Sequence, residues 1–181
     1  MKIIQTTIPA TIDYVTKRSA SAAGNPEVDA AVAKIIANVR ANGDQAVRDY
    51  EKQFDNIELS DLRVPQSELD DAYAAADPQL IDALELAKRN ITSYHTKEKQ
   101  FGFVDAEQPG VMRGERITPL AAVGVYVPGG TAAYPSSILM NVLPAKIAGV
   151  KRIVLVTPPQ HDGLNSAVLT AAKIAGVDEV Y

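Results

Sequence analysis

VGVYVPGGTAAYPSSILMNVLPAKIAGVKRIVLVTPP, residues 123–159, sets a strand, a glycine turn, a helix and a second strand in one run. Val123, Val125 and Val127 are β-branched and two apart, so they share one face of a strand and leave Tyr126 on the other. Pro128 has no amide to give a ladder and closes that strand. Gly129 and Gly130 let the backbone turn where a Cβ would clash, and Pro135-Ser136-Ser137 brings a fixed φ and hydroxyls suited to a helix start. A strand that hands glycines to a helix N-terminus makes a seat for an anion or a nucleotide, while the same turn serves α/β proteins whatever they bind. Gly124 lies inside the strand and only one glycine pair lies in the turn, so the GxGxxG fingerprint is absent and any dinucleotide site here is non-standard.

Outward from this run, the chain divides into a helical first part and an α/β second part. Pro26-Glu27 opens a helix with Val28, Val32, Ile35, Ile36 and Val39 on one face, stopped at Asn42-Gly43; Asp44 caps the next, which runs to about Phe54. A strand-like Leu62 to Val64 ends at Pro65, Ser67 caps a helix through Ala76, and Asp77-Pro78 starts a longer one with Leu80, Leu84, Ala87 and Ile91 in register. Residues 100–110 read as a loop or irregular strand. Residues 111–118 and 121–127 are extended on either side of Pro119, which fits a hairpin and a bent continuous strand equally well. After the glycine turn come a helix from Ser136 to about Gly149, the strand from Arg152 to Val156, a helix from Asn165 to Ala175 and a last strand. The order βαβαβ predicts a parallel sheet with right-handed crossovers, and ligands on such sheets sit beyond the carboxyl ends, where Gly129-Gly130 and Thr157-Pro158-Pro159 fall. Pro144 interrupts the first crossover helix, by a kink near Leu143 or by starting a second helical piece.

The 181 residues, 46% hydrophobic and 22% charged, are ordinary globular composition, and a net charge of -4 gives no footprint for nucleic acid or an anionic membrane. No cysteine means no disulfide and no thiolate metal site. The first residues lack a signal-peptide core, and no stretch reaches the ~18 apolar residues of a membrane span, so cytoplasm is the expected compartment.

Tyr126 has a ring to stack on a ligand and a hydroxyl to bond it, against the plainer role of strand packing. Ser136 and Ser137 read first as helix caps. His95 and His161 lie far apart with no third ligand at a recognisable spacing, which argues against a metal. Asp70, Asp71, Asp82 and Glu85 read as solvated helix faces, and Tyr50, Phe54, Tyr73 and Tyr94 as core or interface.

The run GVYVPGGTAAYPSSILMNVLPAKIAGV followed by IVLVTPP resembles the signature segment of histidinol dehydrogenases. VRANGDQAVRDYEKQFDN resembles that family's first helical pair and AKRNITSYHTKEKQ its long helix before the sheet, so separated motifs agree in order along nearly the whole chain. The resemblance implies an aldehyde-dehydrogenase-like architecture, with residues 1–120 a mainly helical part of a first domain and residues 121–181 the beginning of a Rossmann-like one. It implies an NAD-dependent, zinc-requiring oxidation of histidinol to histidine, in which Tyr126, Pro128, Gly129 and Gly130 line the cofactor and Ser136 lies near the substrate. It also implies that the zinc ligands and a catalytic Glu-His pair lie beyond Tyr181. This chain then reads as an N-terminal piece with no catalytic residue and no metal ligand, inactive alone and associating as a homodimer or through the sheet edge at Val177 and Val180. Two other readings stay open at this point: a non-catalytic binding or assembly module, and a dehydrogenase of a related amino alcohol.

Overall fold

The computed structural model describes residues 25–128, 134–159 and 163–181, with Pro9 and Ile12. Gly129, Gly130 and His161 lie outside the described residues. The chain forms two compact units, residues 1–51 and 52–181.

In the first unit, Asn25 caps helix α1 (Pro26–Asn42) by accepting the Glu27 amide at 3.0 Å, and Gly43 ends it at φ 58°. The apolar stripe read from the sequence exists, but Val28, Val32 and Ile36 are exposed. Helix α2 (Asp44–Phe54) follows and crosses the boundary between the units.

The second unit opens with α3 (Gln66–Ala75) and α4 (Pro78–Thr96). Asp77 caps α4 through the Gln79 amide at 2.8 Å. Ser67, expected to cap α3, lies inside it instead; Pro65 holds the N-cap position and makes no side-chain cap bond. Tyr94 and Phe54, read as core or interface, stand 64% and 61% exposed, so helical spacing alone did not put them in a core.

β1 (Phe103–Asp105) pairs antiparallel with β2 (Arg113–Glu115) in a sheet of their own. Neither alternative drawn for 111–127 holds: β2 turns back onto β1 rather than pairing with or running into the next strand. Glycine makes this possible, because a Cβ on Gly114 would stand 2.3 Å from the Phe103 carbonyl oxygen and one on Gly102 2.0 Å from that of Glu115. Two strands alone are marginally stable. Gly114→Ala is therefore expected to abolish amide-exchange protection across β1 and β2 while leaving the main sheet protected; unchanged protection in the hairpin would show that the strands part easily enough to admit a methyl.

The main sheet has the order β3 (Ala122–Tyr126), β4 (Arg152–Val156), β5 (Glu179–Val180), all parallel, with Val125 opposite Leu155 and Leu155 opposite Val180. Between them run α5 (Pro135–Ala148) and α6 (Ser166–Ala175). α5 continues through Pro144 as one helix, which rules out a separate second piece. Pro144 cannot donate to the Met140 carbonyl as a helical residue would, and Met140 is 51% exposed. Asn165 caps α6, accepting the amides of Ala167 and Val168.

One face of the sheet carries the core. Val125, Ile153, Leu155 and Val180 pack there with Ile138, Leu139 and Val142 of α5, Leu169 and Ala172 of α6, Leu69 and Leu84. Thr170, fully buried, bonds the Ser166 carbonyl at 2.8 Å and reaches the Ala72 carbonyl at 3.2 Å, which fastens α6 to α3. The other face holds Gly124, Tyr126, Val154, Val156 and Glu179, and Tyr126 and Val156 are exposed at 66% and 44%. That face is only partly covered, with Val154 and Glu179 half-buried and Glu179 bonded by Arg152 and Tyr181, although parallel sheets are ordinarily buried on both faces.

The outer edge of β5 differs from expectation. Val177 and Val180 are 8% and 1% exposed, and the Val64 amide donates to the Val180 carbonyl at 2.9 Å. The strand-like Leu62 to Val64 segment thus lies along β5, and the apolar flank expected there is turned inward.

Candidate cofactor site

The three strands point their carboxyl ends the same way, so Tyr126, Pro128, Thr157 and Tyr181 gather at one edge. The Val127 amide donates to the Val156 carbonyl at 3.0 Å and the Thr157 amide to that of Tyr181 at 2.9 Å, so the ladder persists to this edge. Tyr181 falls opposite Val156, since it donates to the Leu155 carbonyl and accepts from Thr157. Tyr126, Val156 and Tyr181 therefore form one row across the face opposite the core, the face on which the alternation of valines had placed Tyr126.

α5 brings its N-terminus to the same edge, because it follows β3 by a short connection. Tyr134 holds its N-cap position with no side-chain cap, and Pro135 is its first residue. Ser136 and Ser137 lie in the first turn rather than capping it; Ser136 is exposed, and the Ser137 amide goes to the Tyr134 carbonyl at 3.0 Å. An uncapped helix start at the carboxyl edge of a parallel sheet suits a diphosphate.

A network lies behind this edge. Arg152 donates to both carboxylate oxygens of Glu179, at 2.7 and 3.0 Å, and the Tyr181 hydroxyl donates to the same group at 2.9 Å. The Arg152 bond, followed by that from Tyr181, lowers the Glu179 carboxyl to about 2. Hydrogen bonding to Glu179 in turn raises the Tyr181 phenol. A carboxyl that holds its proton less tightly in the folded chain than in the unfolded one stabilises the fold above its ordinary range and loses that contribution as pH falls toward about 2. Carboxyl NMR titration should give Glu179 a midpoint near 2, rising in Arg152→Gln; an ordinary midpoint in the parent would mean that the bridge does not form in solution.

Sequence reasoning placed Thr157 at the ligand edge but missed Tyr181 and Arg63, which with it line a cleft of about 440 Å3 beyond the ends of β4 and β5. They come from three separated segments, and the signal that pointed to them was the pair of proline stops at Pro65 and Pro158. His95 lies elsewhere, bonded to Glu98 at 2.5 Å at the end of α4. Among the described residues no three His, Asp or Glu side chains come together as metal ligands would, so these residues do not fit zinc.

The fold has a counterpart among known proteins. A family model described as histidinol dehydrogenase matches residues 17–181. The chain belongs to the histidinol dehydrogenase family. The histidinol dehydrogenase of Lactiplantibacillus plantarum is 64% identical over 155 residues, covering 86% of this chain and 36% of that protein. That of Listeria innocua is 52% identical over all 181 residues, covering 42% of its own length. A crystal structure of histidinol dehydrogenase from Elizabethkingia anophelis aligns with a TM-score of 0.81 at 32% identity, over 87% of this chain and 37% of that one. The chain thus spans about two fifths of the length of the histidinol dehydrogenases it matches, and shares their mixed α/β fold with a parallel sheet.

Proposed function

We propose that the chain provides the cofactor side of an NAD-dependent histidinol dehydrogenase of histidine biosynthesis, a cytoplasmic enzyme, and is incomplete as a catalyst. The observation that carries this is the shared carboxyl edge: Tyr126 stands exposed in the row beside an uncapped helix start, at strand ends where α/β sheets bind nucleotides. NAD supplies the hydride acceptor when bound. The chain's own part would be to hold it: the Tyr126 ring offers a stacking surface and its hydroxyl a hydrogen bond, the first amides of α5 would serve the diphosphate, and Pro128 would shape the wall. Gly129 and Gly130 belong to the same proposal by resemblance, as does Ser136 on the substrate side.

A Rossmann-like, aldehyde-dehydrogenase-like architecture belongs to the proposal too, with the helical part over residues 1–120 and the Rossmann-like part from residue 121. Among the described residues β3 is an edge strand of the sheet, and α5 and α6 pack on one face of it. A second set of strands added along β3, with helices on the face of Tyr126, would make β3 the switch point of a doubly wound sheet.

The test is titration of NAD into the chain, followed by NMR line broadening, with Tyr126→Ala beside the parent. Weak binding, no tighter than about 1 mM, is expected from so few contacts, and should vanish in the variant. Binding unaffected by the loss of Tyr126 would refute the site.

Histidinol is the proposed substrate of the longer enzyme, and association of like chains goes with the exposed apolar side chains at Tyr126, Val156, Phe101, Met112 and Leu120. Light scattering at tens of micromolar should show species larger than one chain; a clean monomer would count against association.

A further inference from the structure

Asn42-Gly43, which closes α1, carries a reactivity apart from its part as a helix stop. A glycine amide is the least hindered backbone nucleophile, because no Cβ shields its nitrogen. Among the asparagines only Asn42 precedes a glycine. Asn38, Asn56, Asn90 and Asn141 precede Val39, Ile57, Ile91 and Val142, whose branched Cβ crowds the amide, and Asn25 precedes Pro26, which has no N–H. Asn165 precedes Ser166, but its side-chain oxygen already accepts the Ala167 and Val168 amides. Asn42 and Gly43 are both exposed, and the space beside the Gly43 Cα is open to 4 Å.

Two hydrogen bonds restrain the pair. The Gly43 amide donates to the Val39 carbonyl at 2.8 Å, and the Asn42 side-chain amide donates to Asn38 Oδ1 at 2.6 Å. Asn38 in turn donates to the Tyr50 hydroxyl at 3.0 Å, so a chain of side chains runs from the end of α1 to α2. Bonds at an exposed helix end open far more readily than the fold as a whole.

We propose that Asn42 is a site of spontaneous deamidation, gated by the last turn of α1, and that the change weakens the link between α1 and α2. When the turn opens, the Gly43 nitrogen gives its proton to hydroxide and attacks Asn42 Cγ. The Cγ–Nδ2 bond breaks, and ammonia leaves with a proton taken from water. Water then adds to the resulting cyclic imide: attack at the side-chain carbonyl gives aspartate, and attack at the main-chain carbonyl gives isoaspartate. Aspartate sets a carboxylate oxygen where Nδ2 stood, so an acceptor faces Asn38 Oδ1, and the new charge lies at a helix C-terminus near Asp44. Isoaspartate also lengthens the main chain where α1 turns into α2.

The test is peptide mapping by mass spectrometry on the folded 181-residue chain held at mildly alkaline pH. The amide-to-acid mass change should arise at Asn42 before any other asparagine, with isoaspartate among the products, and should be absent at this position in Asn42→Gln, which would have to close a larger ring. Asn38→Ala, shown to be folded by circular dichroism, frees the Asn42 amide and should hasten the reaction by about two- to tenfold, the worth of one hydrogen bond. In Asn42→Asp, amide exchange in the last turn of α1 and in α2 should quicken by about the same factor while β4 keeps its protection. Reaction first at another asparagine would overturn the site. Equal rates in the parent and Asn38→Ala would overturn the gate, and unchanged exchange in Asn42→Asp would overturn the weakened link.

Discussion

No NADH should form when this chain is mixed with histidinol, NAD and zinc. Oxidising an alcohol through an aldehyde to a carboxylate needs a Lewis acid or equivalent on the substrate and a base within about 3 Å of the proton it takes. The sequence offers two histidines and no cysteine. Among the described residues no three ligating side chains meet, and His95 is already bonded to Glu98, away from the strand ends. Among the described residues the cofactor edge holds Tyr126, Thr157 and Tyr181, and the Tyr181 hydroxyl is already bonded to a Glu179 carboxylate clamped by Arg152. Absorbance of NADH, followed beside a calorimetric zinc titration, is the measurement. Zinc-dependent turnover that disappears in Tyr126→Ala would mean that a complete active site exists within these residues, and the proposal of a cofactor-side contribution alone would be wrong.

The largest effect on stability is expected in the middle of β4. Leu155 is fully buried between β3 and β5 and faces the helices, so Leu155→Ala removes apolar contact and leaves a cavity, a loss of about 3 to 5 kcal/mol. Against a total of roughly 5 to 15 kcal/mol, that lowers the melting temperature by about 6 to 20 °C. Val156, one residue on and on the bare face, should cost less than about 1 kcal/mol as Val156→Ala. The contrast between neighbours is the test. Equal losses in thermal melts would show that something in solution covers the face of Tyr126 and Val156.

The elements that local chemistry controls were legible in the chain. Asp77 and Asn165, read as helix starts, cap their helices because an Asx side chain bonds an amide two or three residues on, which needs no distant partner. The alternation around Tyr126 placed it opposite Val125 for a similar reason, since side-chain direction in a strand has a period of two. The parallel order and the family resemblance likewise came from contiguous residues.

What the sequence left undecided depended on partners far along the chain. The hairpin of β1 and β2 rests on Gly102 and Gly114 meeting carbonyls across the ladder, and no periodicity within a three-residue strand announces it. Leu62 to Val64 looked like a strand, but only packing revealed that it runs beside Val180 and closes the edge expected to be open. Phe54 and Tyr94 have core-like spacing and yet stand exposed, because burial needs a facing surface as well as an apolar side chain. The cleft lined by Leu59, Thr157 and Tyr181 is tertiary for the same reason: its walls belong to three segments, and only the parallel sheet brings their ends to one edge.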